Sequence, residues 1–498
     1  MAIEMDKLKA HIDRRYRLWI WVVVPVLSLL MHLPILNKPL QGIHAWRQCE
    51  TASNIVLFAE KGYPISDPHV YSLEWQDGLK RMEFPVMQWS FAWFIRLFGD
   101  HAVVLRLLSW LLGIVTMLGF FRACDLIFRD KTVALFAAWA WTFSPVLFYY
   151  NINPLPDNFS LMAAVWGIAF FMQWYRSGSG ALGTASILAS FACLSLATAT
   201  KLPFVVLMTV PMGGLLVALI RERGKGFVRK AALALAGLVI LAPALWWYAW
   251  VIPQWTGNGV VKGILDSTPE DVPDILFSIW RNLIAILPEL LVNYAAVPFL
   301  LIAFWSIGKD KHWKSGLSLP FALYAAGVGA YFMFEINMIT SIHDYYLFPF
   351  LPGIFLLVAI GIRWALMVKA TWGRNLALAL IIVLPVTAGL RAYPRWNEKG
   401  MPKGLLSNLE ELRTATPADA RIVFANDLSP HISLFHLRHF GWTFGATNFD
   451  PEKFKTWLGQ GARYFYSDSR EAEAIPLVHE HLGNKLREVG EIWIWELR

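Results

Sequence analysis

The chain has 498 residues, of which 56% are hydrophobic and 16% charged, with a mean hydropathy of +0.46. A water-soluble core cannot hide that much apolar surface, so lipid is the solvent for most of the chain. The formal net charge of +8 sits at the ends of apolar segments rather than on one face or in one tail, which argues against a nucleic-acid partner.

The N-terminus, MAIEMDKLKAHIDRRYRLWIW, puts a basic segment ahead of an apolar run, and no small-residue cleavage site ends that run. The first helix is therefore expected to stay uncleaved. A crossing takes roughly 20 mostly apolar residues for about 30 Å of hydrocarbon, and about eleven candidates follow. They are Trp19–Ile35, His101–Phe121, Thr132–Tyr150, Asp157–Tyr175, Ala181–Thr198, Leu202–Ile220, Ala231–Val251, Ala285–Ile307, Leu317–Glu335, Tyr345–Met367 and Asn375–Leu390.

Cationic loops resist translocation, and one alternating set of loops is basic: Lys7 to Arg17, Arg122/Arg129/Lys131, Arg176, Arg221 to Lys230, Lys309/Lys311/Lys314 and Arg363/Lys369/Arg374. The loops between them carry few cations. This predicts a cytoplasmic N-terminus and, with an odd number of spans, a C-terminus outside. Cys49, Cys124 and Cys193 then fall outside, at the cytoplasmic edge and inside a helix, so no disulfide framework is expected.

After Leu390 the composition becomes that of a soluble domain. Arg421–Asp427, Arg463–Ser469 and Glu488–Leu497 read as strands, and Asp450–Leu458 and Arg470–His481 as helices. The expected fold class is a polytopic α-helical membrane protein with a small C-terminal extracytoplasmic α/β domain. Residues 1–390 form the membrane domain, including an outward loop at 37–85, and residues 391–498 form the outer domain.

That loop is too rich for a connector. It holds His44-Ala45-Trp46-Arg47-Gln48-Cys49-Glu50-Thr51, then Asp67-Pro68-His69, then Arg81-Met82-Glu83-Phe84-Pro85. Ile55, Phe58 and Ala59 recur at helical spacing, so Arg47 to Lys61 is expected to lie along the membrane surface with Arg47 and Glu50 on adjacent turns. An anchoring ion pair would account for those two residues equally well.

Further polar residues sit within or beside the spans: Arg106, Asp157, Lys201 and His343-Asp344-Tyr345-Tyr346. Ionisable groups bordering hydrocarbon are expensive and mark cavities or sites, although Asp157 after Pro156 also suits a helix N-cap. A lipid-linked phosphate donor suits the set. Its tail needs an apolar groove, its phosphate needs Lys201 or Arg47, and an incoming hydroxyl needs a carboxylate base, Glu50 or Glu83.

In order, these segments resemble the GT-C glycosyltransferases of family 39 type, which include protein O-mannosyltransferases and lipid A aminoarabinose transferases. The resemblance rests on His44 to Thr51, Met82-Glu83-Phe84-Pro85, Arg106-Leu107-Leu108-Ser109, Ser144-Pro145 to Asp157, Lys201-Leu202-Pro203, His343 to Pro349 and Arg438-His439-Phe440-Gly441-Trp442. It implies a GT-C-like fold with one span, a long catalytic loop, a bundle of further spans and an extracytoplasmic C-terminal domain, compatible with the about eleven spans counted above. It also implies an inverting transferase of the bacterial inner membrane that moves a sugar from a polyprenyl-phosphate donor to an extracytoplasmic lipid, glycan or protein.

Many relatives carry an acid near His44 and Ala45, and this chain has none there. Either the base is Glu50 or Glu83, with Asp67 ranked behind them, or the chain has lost or altered activity. Donor phosphate or substrate would meet Arg47, Lys201, Asp157, His343, Tyr345 and Tyr346. No cofactor is expected. His44, Glu50, His69 and Glu83 match no compact metal motif, which leaves a divalent cation as an open alternative.

The competing function is a transporter or flippase for a lipid-linked or glycan substrate, which would gather its charges near the bilayer midplane rather than at one interface. A glycan-binding or lipid-binding receptor is a third. The outer domain offers no catalytic set of its own, with Asp427, His431 and His439 expected as surface or cap residues.

Overall fold

A computed structural model describes residues 5–178, 180–221, 226–258, 271–309, 316–341, 343–398 and 400–498. Of the cationic loop positions, Arg223, Lys225, Lys311 and Lys314 lie outside the described residues. The chain divides into two compact units. The first comprises Met1–Leu36, Arg106–Pro253 and Gly259–Pro394, and the second Asn37–Leu105, Gln254–Asn258 and Arg395–Arg498. The outward loop therefore shares a unit with the C-terminal domain, a grouping that cuts across a division at residue 390.

The first unit is helical. Eight helices among the described residues are long and apolar enough to cross a membrane: Lys9–Leu36, Ala102–Phe128, Ala181–Thr200, Leu202–Arg221, Phe227–Gln254, Val272–Val292, Asp344–Met367 and Thr371–Trp396. Helix Pro156–Ser177 adds 22 residues, and Val297–Ile307 and Ser318–Phe334 are shorter apolar helices. In Phe227–Trp246, Leu235 and Val239 are 62% and 64% exposed, a pattern that hydrocarbon tolerates and water does not.

Two expected spans are not continuous. Thr132–Tyr150 divides into Lys131–Thr142 and Pro145–Tyr150, because Pro145 lacks the N–H to continue the ladder. Ala285–Ile307 breaks at Asn293, whose φ of 82° is left-handed, and Val272–Val292 forms a helix that composition did not reveal. The two breaks stabilise each other. Asn293 Nδ2 donates to the carbonyls of Phe143 and Leu384 at 3.1 Å, and Ser144 Oγ donates to the carbonyl of Leu291 at 2.6 Å. Freed backbone groups are thus satisfied inside the protein, the condition for a broken helix at membrane depth.

The second unit is built on a five-stranded sheet in the order β2-β1-β3-β5-β4. β1 is Arg421–Ala425, β2 Gly441–Phe444, β3 Ala462–Ser467, β4 Leu482–Val489 and β5 Ile492–Leu497. β1 lies parallel between β2 and β3, while β5 runs antiparallel to β3 and β4. The parallel pairs are joined through the helices Ile432–Leu437 and Pro451–Gly459, and Phe444, Phe454, Phe465 and Val478 fill the core beneath. The single strand expected at Glu488–Leu497 is a hairpin turning at Gly490, where φ is 59°. The helix expected at Arg470–His481 divides into Arg470–Glu473 and Pro476–His481, again at a proline.

The loop residues extend this sheet. Leu73 N donates to the Gly441 carbonyl at 2.8 Å and Gly441 N to the Tyr71 carbonyl at 3.1 Å, so residues 71–73 bond along the free edge of β2. Helix Ala45–Lys61 is not a surface helix as its spacing suggested: from Ala45 to Phe58 every residue but Trp46 is buried. Helix Val86–Phe98 was unforeseen. It exposes Trp89, Trp93, Phe94, Leu97 and Phe98 along one stripe, the pattern of an interfacial helix.

Candidate active site

Helix Ala45–Lys61 begins just after His44, held in the left-handed region at φ 57°, and ends at Gly62, also left-handed. It carries Arg47 and Glu50 one turn apart. Arg47 Nη1 donates to Glu50 Oε1 at 2.6 Å, and Nη2 donates to both oxygens of Glu83 at 2.7 Å. Gln88 Nε2 adds a bond to Glu83 Oε1 at 3.1 Å. Glu50, Glu83 and Arg47 thus converge, as the loop sequence suggested.

Two residues that sequence reasoning missed complete the cluster. Residues 68–80 form a hairpin: Val70 N donates to the Gly78 carbonyl and Lys80 N to the Pro68 carbonyl, both at 2.8 Å. Gly78 has φ 79°, and a Cβ there would lie 2.5 Å from the Val70 oxygen, so only glycine fits the turn. The hairpin brings Lys80 Nζ to 3.2 Å from Glu50 Oε1 and to 2.9 Å from His431 Nε2. His431, expected as a surface or cap residue, occupies the N-cap position of Ile432–Leu437 without a side-chain capping bond and is only 2% exposed, because Trp75 stacks over its ring at 6.4 Å while Lys80 sits against the imidazole. Asp427 does act as a cap: its carboxylate accepts from Ser429 N, Ser433 N and Ser433 Oγ. His439 is buried against Thr416 and the Pro417 carbonyl rather than exposed.

Charge balance explains why the cluster is stable when buried. Arg47 and Lys80 match Glu50 and Glu83, and each bond is charge-assisted. Burial alone would raise the Glu50 carboxyl, but the charges of Arg47 and Lys80 outweigh it and hold the group at about 2. Burial, reinforced by the Lys80 cation, keeps His431 neutral, pushed down to about 3. Burial also lowers Lys80 from its ordinary value, with Glu50 pulling the other way. Since Lys80 donates to the His431 Nε2 lone pair, that nitrogen has no proton for Glu50. Glu50 Oε2, 3.5 Å away, is buried and receives no hydrogen bond from the described residues.

Asp67 does not join the cluster. It is paired with Arg81 at 2.6 Å and its side chain is 34% exposed. His69 bonds the Asp67 carbonyl through Nδ1 and stacks on Tyr63. Among the described residues no three His, Cys, Asp or Glu side chains are grouped as metal ligands.

In the first unit the other expected residues also gather. Asp157 follows Pro156 in the first turn of Pro156–Ser177, where the helix dipole favours an anion; Leu155, not Asp157, is the N-cap. Lys201 breaks the chain between Ala181–Thr200 and Leu202–Met208, at φ −152° and with Pro203 just beyond. Its Nζ lies 3.6 Å from Asp157 Oδ1, 4.8 Å from the Tyr346 ring centroid and 5.8 Å from that of Tyr345. His343 packs against both tyrosines, with ring centroids at 4.7 and 5.1 Å. Tyr150 Oη donates to Asp344 at 2.5 Å. Arg106 is directed elsewhere, donating to Asn153 Oδ1 at 2.6 Å. Glu335, which no motif marked, is 4% exposed and has one buried oxygen without a hydrogen-bond partner among the described residues.

Comparison with known proteins bears on this architecture. Residues 83–250 match the sequence profile of the dolichyl-phosphate-mannose-protein mannosyltransferase family. A search of curated proteins by sequence finds no significant match. Among solved structures, ArnT from Cupriavidus metallidurans in the apo state superposes with a TM-score of 0.66 at 15% identity, over 96% of this chain and 97% of that one. The same protein bound to undecaprenyl phosphate gives 0.66 at 15% identity, over 96% and 98%. The Archaeoglobus fulgidus oligosaccharyltransferase AglB, in complex with an inhibitory peptide and a dolichol-phosphate, gives 0.59 at 12% identity, over 95% of this chain and 73% of that one. The chain is thus a multi-pass membrane protein that has, over nearly its whole length, the fold of ArnT, and within residues 83–250 it is similar in sequence to the mannosyltransferase family.

Proposed function

We propose that the protein transfers a glycosyl group, with inversion, from a polyprenyl-phosphate-linked sugar to an acceptor outside the bacterial cytoplasmic membrane. Its N-terminus would be cytoplasmic and its second unit periplasmic. The acceptor hydroxyl attacks the anomeric carbon, the bond from that carbon to the phosphate oxygen breaks, and polyprenyl phosphate leaves with the electron pair. The hydroxyl proton goes to Glu50 Oε2.

The observation that carries this proposal is that oxygen: a buried carboxylate atom with an open lone pair, on a side chain kept ionised by Arg47 and Lys80. A carboxyl held at about 2 is a weak base. Glycosyl transfer tolerates one, because an oxocarbenium-like transition state makes the attacking hydroxyl acidic only as the new bond forms. Arg47 is engaged by two carboxylates, so the phosphate falls to Lys201, which has a flexible ammonium beside Asp157 and the two tyrosine rings. The ArnT and AglB complexes hold undecaprenyl phosphate and dolichol-phosphate respectively, carriers of the class proposed here.

The test is transfer by the purified full-length protein from a panel of polyprenyl-phosphate sugars. Wild type should form a glycosylated product, and Glu50→Gln should lower the rate by about 10²- to 10⁴-fold, the range for loss of a general base. No transfer from any donor, or equal transfer by Glu50→Gln and Glu83→Gln, overturns the proposal.

A further inference from the structure

The second unit contains a cleft of about 730 Å³ whose walls come from two of its three sequence segments, Asn37–Leu105 and Arg395–Arg498. Leu73, Glu74, Trp75 and Asp77 of the hairpin form one wall, while Trp442, Trp457, Glu452 and Lys453 of the sheet and its crossover helix line the opposite side. A smaller adjoining pocket shares Glu74, Trp442, Lys453 and Trp457. The volume is that of a ligand site rather than of a packing defect.

The chemistry of the lining selects among ligands. Trp75 supplies a part-exposed indole, backed by Trp442 and Trp457, which are stacked at 6.0 Å with 14° between planes and are themselves only 2% and 9% exposed. Glu74, Asp77 and Glu452 accept hydrogen bonds and are solvent-exposed; Arg421 and Lys453 donate them. Three anions against two cations repel a phosphate or a lipid A headgroup and offer a bilayer no consistent sign of charge. An apolar chain would displace water from the exposed charges of Glu74, Asp77 and Lys453 and offer them no hydrogen bond in return. A pyranose satisfies both parts, presenting a C–H face to the Trp75 indole and vicinal hydroxyls to the carboxylates and cations.

We infer that this cleft is a saccharide-binding site that holds part of a glycan acceptor. This deepens the transferase proposal above and, as an acceptor site, rests on it. Trp75 is the physical link: it lines the cleft, and Lys80 Nζ lies 4.5 Å from its ring centroid. Trp255 packs on it edge-to-face at 5.8 Å, so the ring is braced by protein as well as by the ion cluster. An occupied cleft therefore bears on the aromatic group that shields Lys80 and His431.

The experiment is saturation-transfer NMR and intrinsic tryptophan fluorescence on the detergent-solubilised full chain, titrated with mannotriose, maltotriose and chitotriose. Inorganic phosphate serves as the control anion. At least one trisaccharide should bind saturably and phosphate should not. Asp77→Asn and Glu452→Gln, both at exposed positions, should each weaken binding about fivefold, the effect of one lost hydrogen bond of about 1 kcal/mol. Glu50→Gln should bind the trisaccharide as wild type does while losing transfer. Saturable phosphate binding in the cleft, absence of binding by all three sugars, or undiminished binding by both cleft variants overturns the inference. Because binding is read without turnover, that failure is distinct from failure of the transferase proposal.

Discussion

Arg47 is the hub of the buried cluster, and its removal can be worked out from charge alone. Arg47→Met leaves two carboxylates, 2% and 7% exposed, facing one remaining cation, Lys80. Glu83→Leu leaves the opposite imbalance, one carboxylate facing two cations. Breaking a buried pair from one side costs about 3–5 kcal/mol, most of it the penalty for the stranded charge. The double variant Arg47→Met/Glu83→Leu restores balance, with Glu50 still 3.2 Å from Lys80 and an apolar pair where the outer bridge had been. Its loss should fall short of the sum of the single losses by about 2 kcal/mol or more. In a unit of this size that cost converts to roughly 6–20 °C for Arg47→Met. The measurement is the thermal midpoint of the full chain in one detergent at pH 7.5, with all four proteins scanned at the same rate. Single variants within about 2 °C of wild type, or strictly additive losses in the double, would refute the charge-balance account.

Other perturbations reach different parts of the molecule. Lys201→Ala should raise the KM for the polyprenyl-phosphate donor by about 10- to 100-fold in steady-state assays, since a charge-assisted bond contributes about 1.5–3 kcal/mol. A larger effect on acceptor KM than on donor KM would contradict that assignment. Asp67→Asn should leave transfer within about twofold of wild type, because its part-exposed pair with Arg81 lies outside the buried cluster; a hundredfold loss would reinstate Asp67 as base.

Acidification should destabilise the second unit. His431 and His436 are both held neutral by burial at about 3, so as pH falls from 6.5 toward 3 the unfolded chain takes up protons that the native chain refuses. Glu50, depressed to about 2, adds to the loss only as pH falls below about 4.5. Asp427, raised by burial to about 6, opposes them, its contribution being lost as pH rises from 3.8 through 6. Two histidines outweigh one carboxyl, so thermal midpoints should decline between pH 7 and 5, and His431→Gln should flatten the decline. An unchanged slope in that variant would show that His431 is not buried neutral.

The membrane class and the weight placed on the first loop were legible because both are local in sequence. Apolar runs reveal helices, and Arg47, Glu50 and Glu83 lie within one loop. Where helices break was less visible, since an apolar stretch such as Ala285–Ile307 has the same average whether it continues or turns at Asn293. The partners of Glu50 were hidden for a different reason. Lys80 looked like one loop cation among several, and His431 sits 351 residues from it in the sequence. Only the hairpin at Gly78 and the strand-like contact of residues 71–73 with Gly441 bring them together. The alternation GWTF at β2 was too short to mark a strand, yet it supplies the edge to which the loop bonds.

That edge contact also governs the order in which the protein can be finished. Ribosomes and insertion machinery deliver the first loop hundreds of residues before β2 and His431 emerge, so Glu50, Arg47 and Lys80 wait in a half-made fold until the last fifth of the chain arrives. Closing so long a loop is slow, and exposed intermediates of this kind are what proteases recognise. A chain truncated before residue 441 would keep its apolar helices yet never complete its charged centre. The charged centre that the first loop begins is thus closed only when the C-terminal sheet supplies the β2 edge and His431.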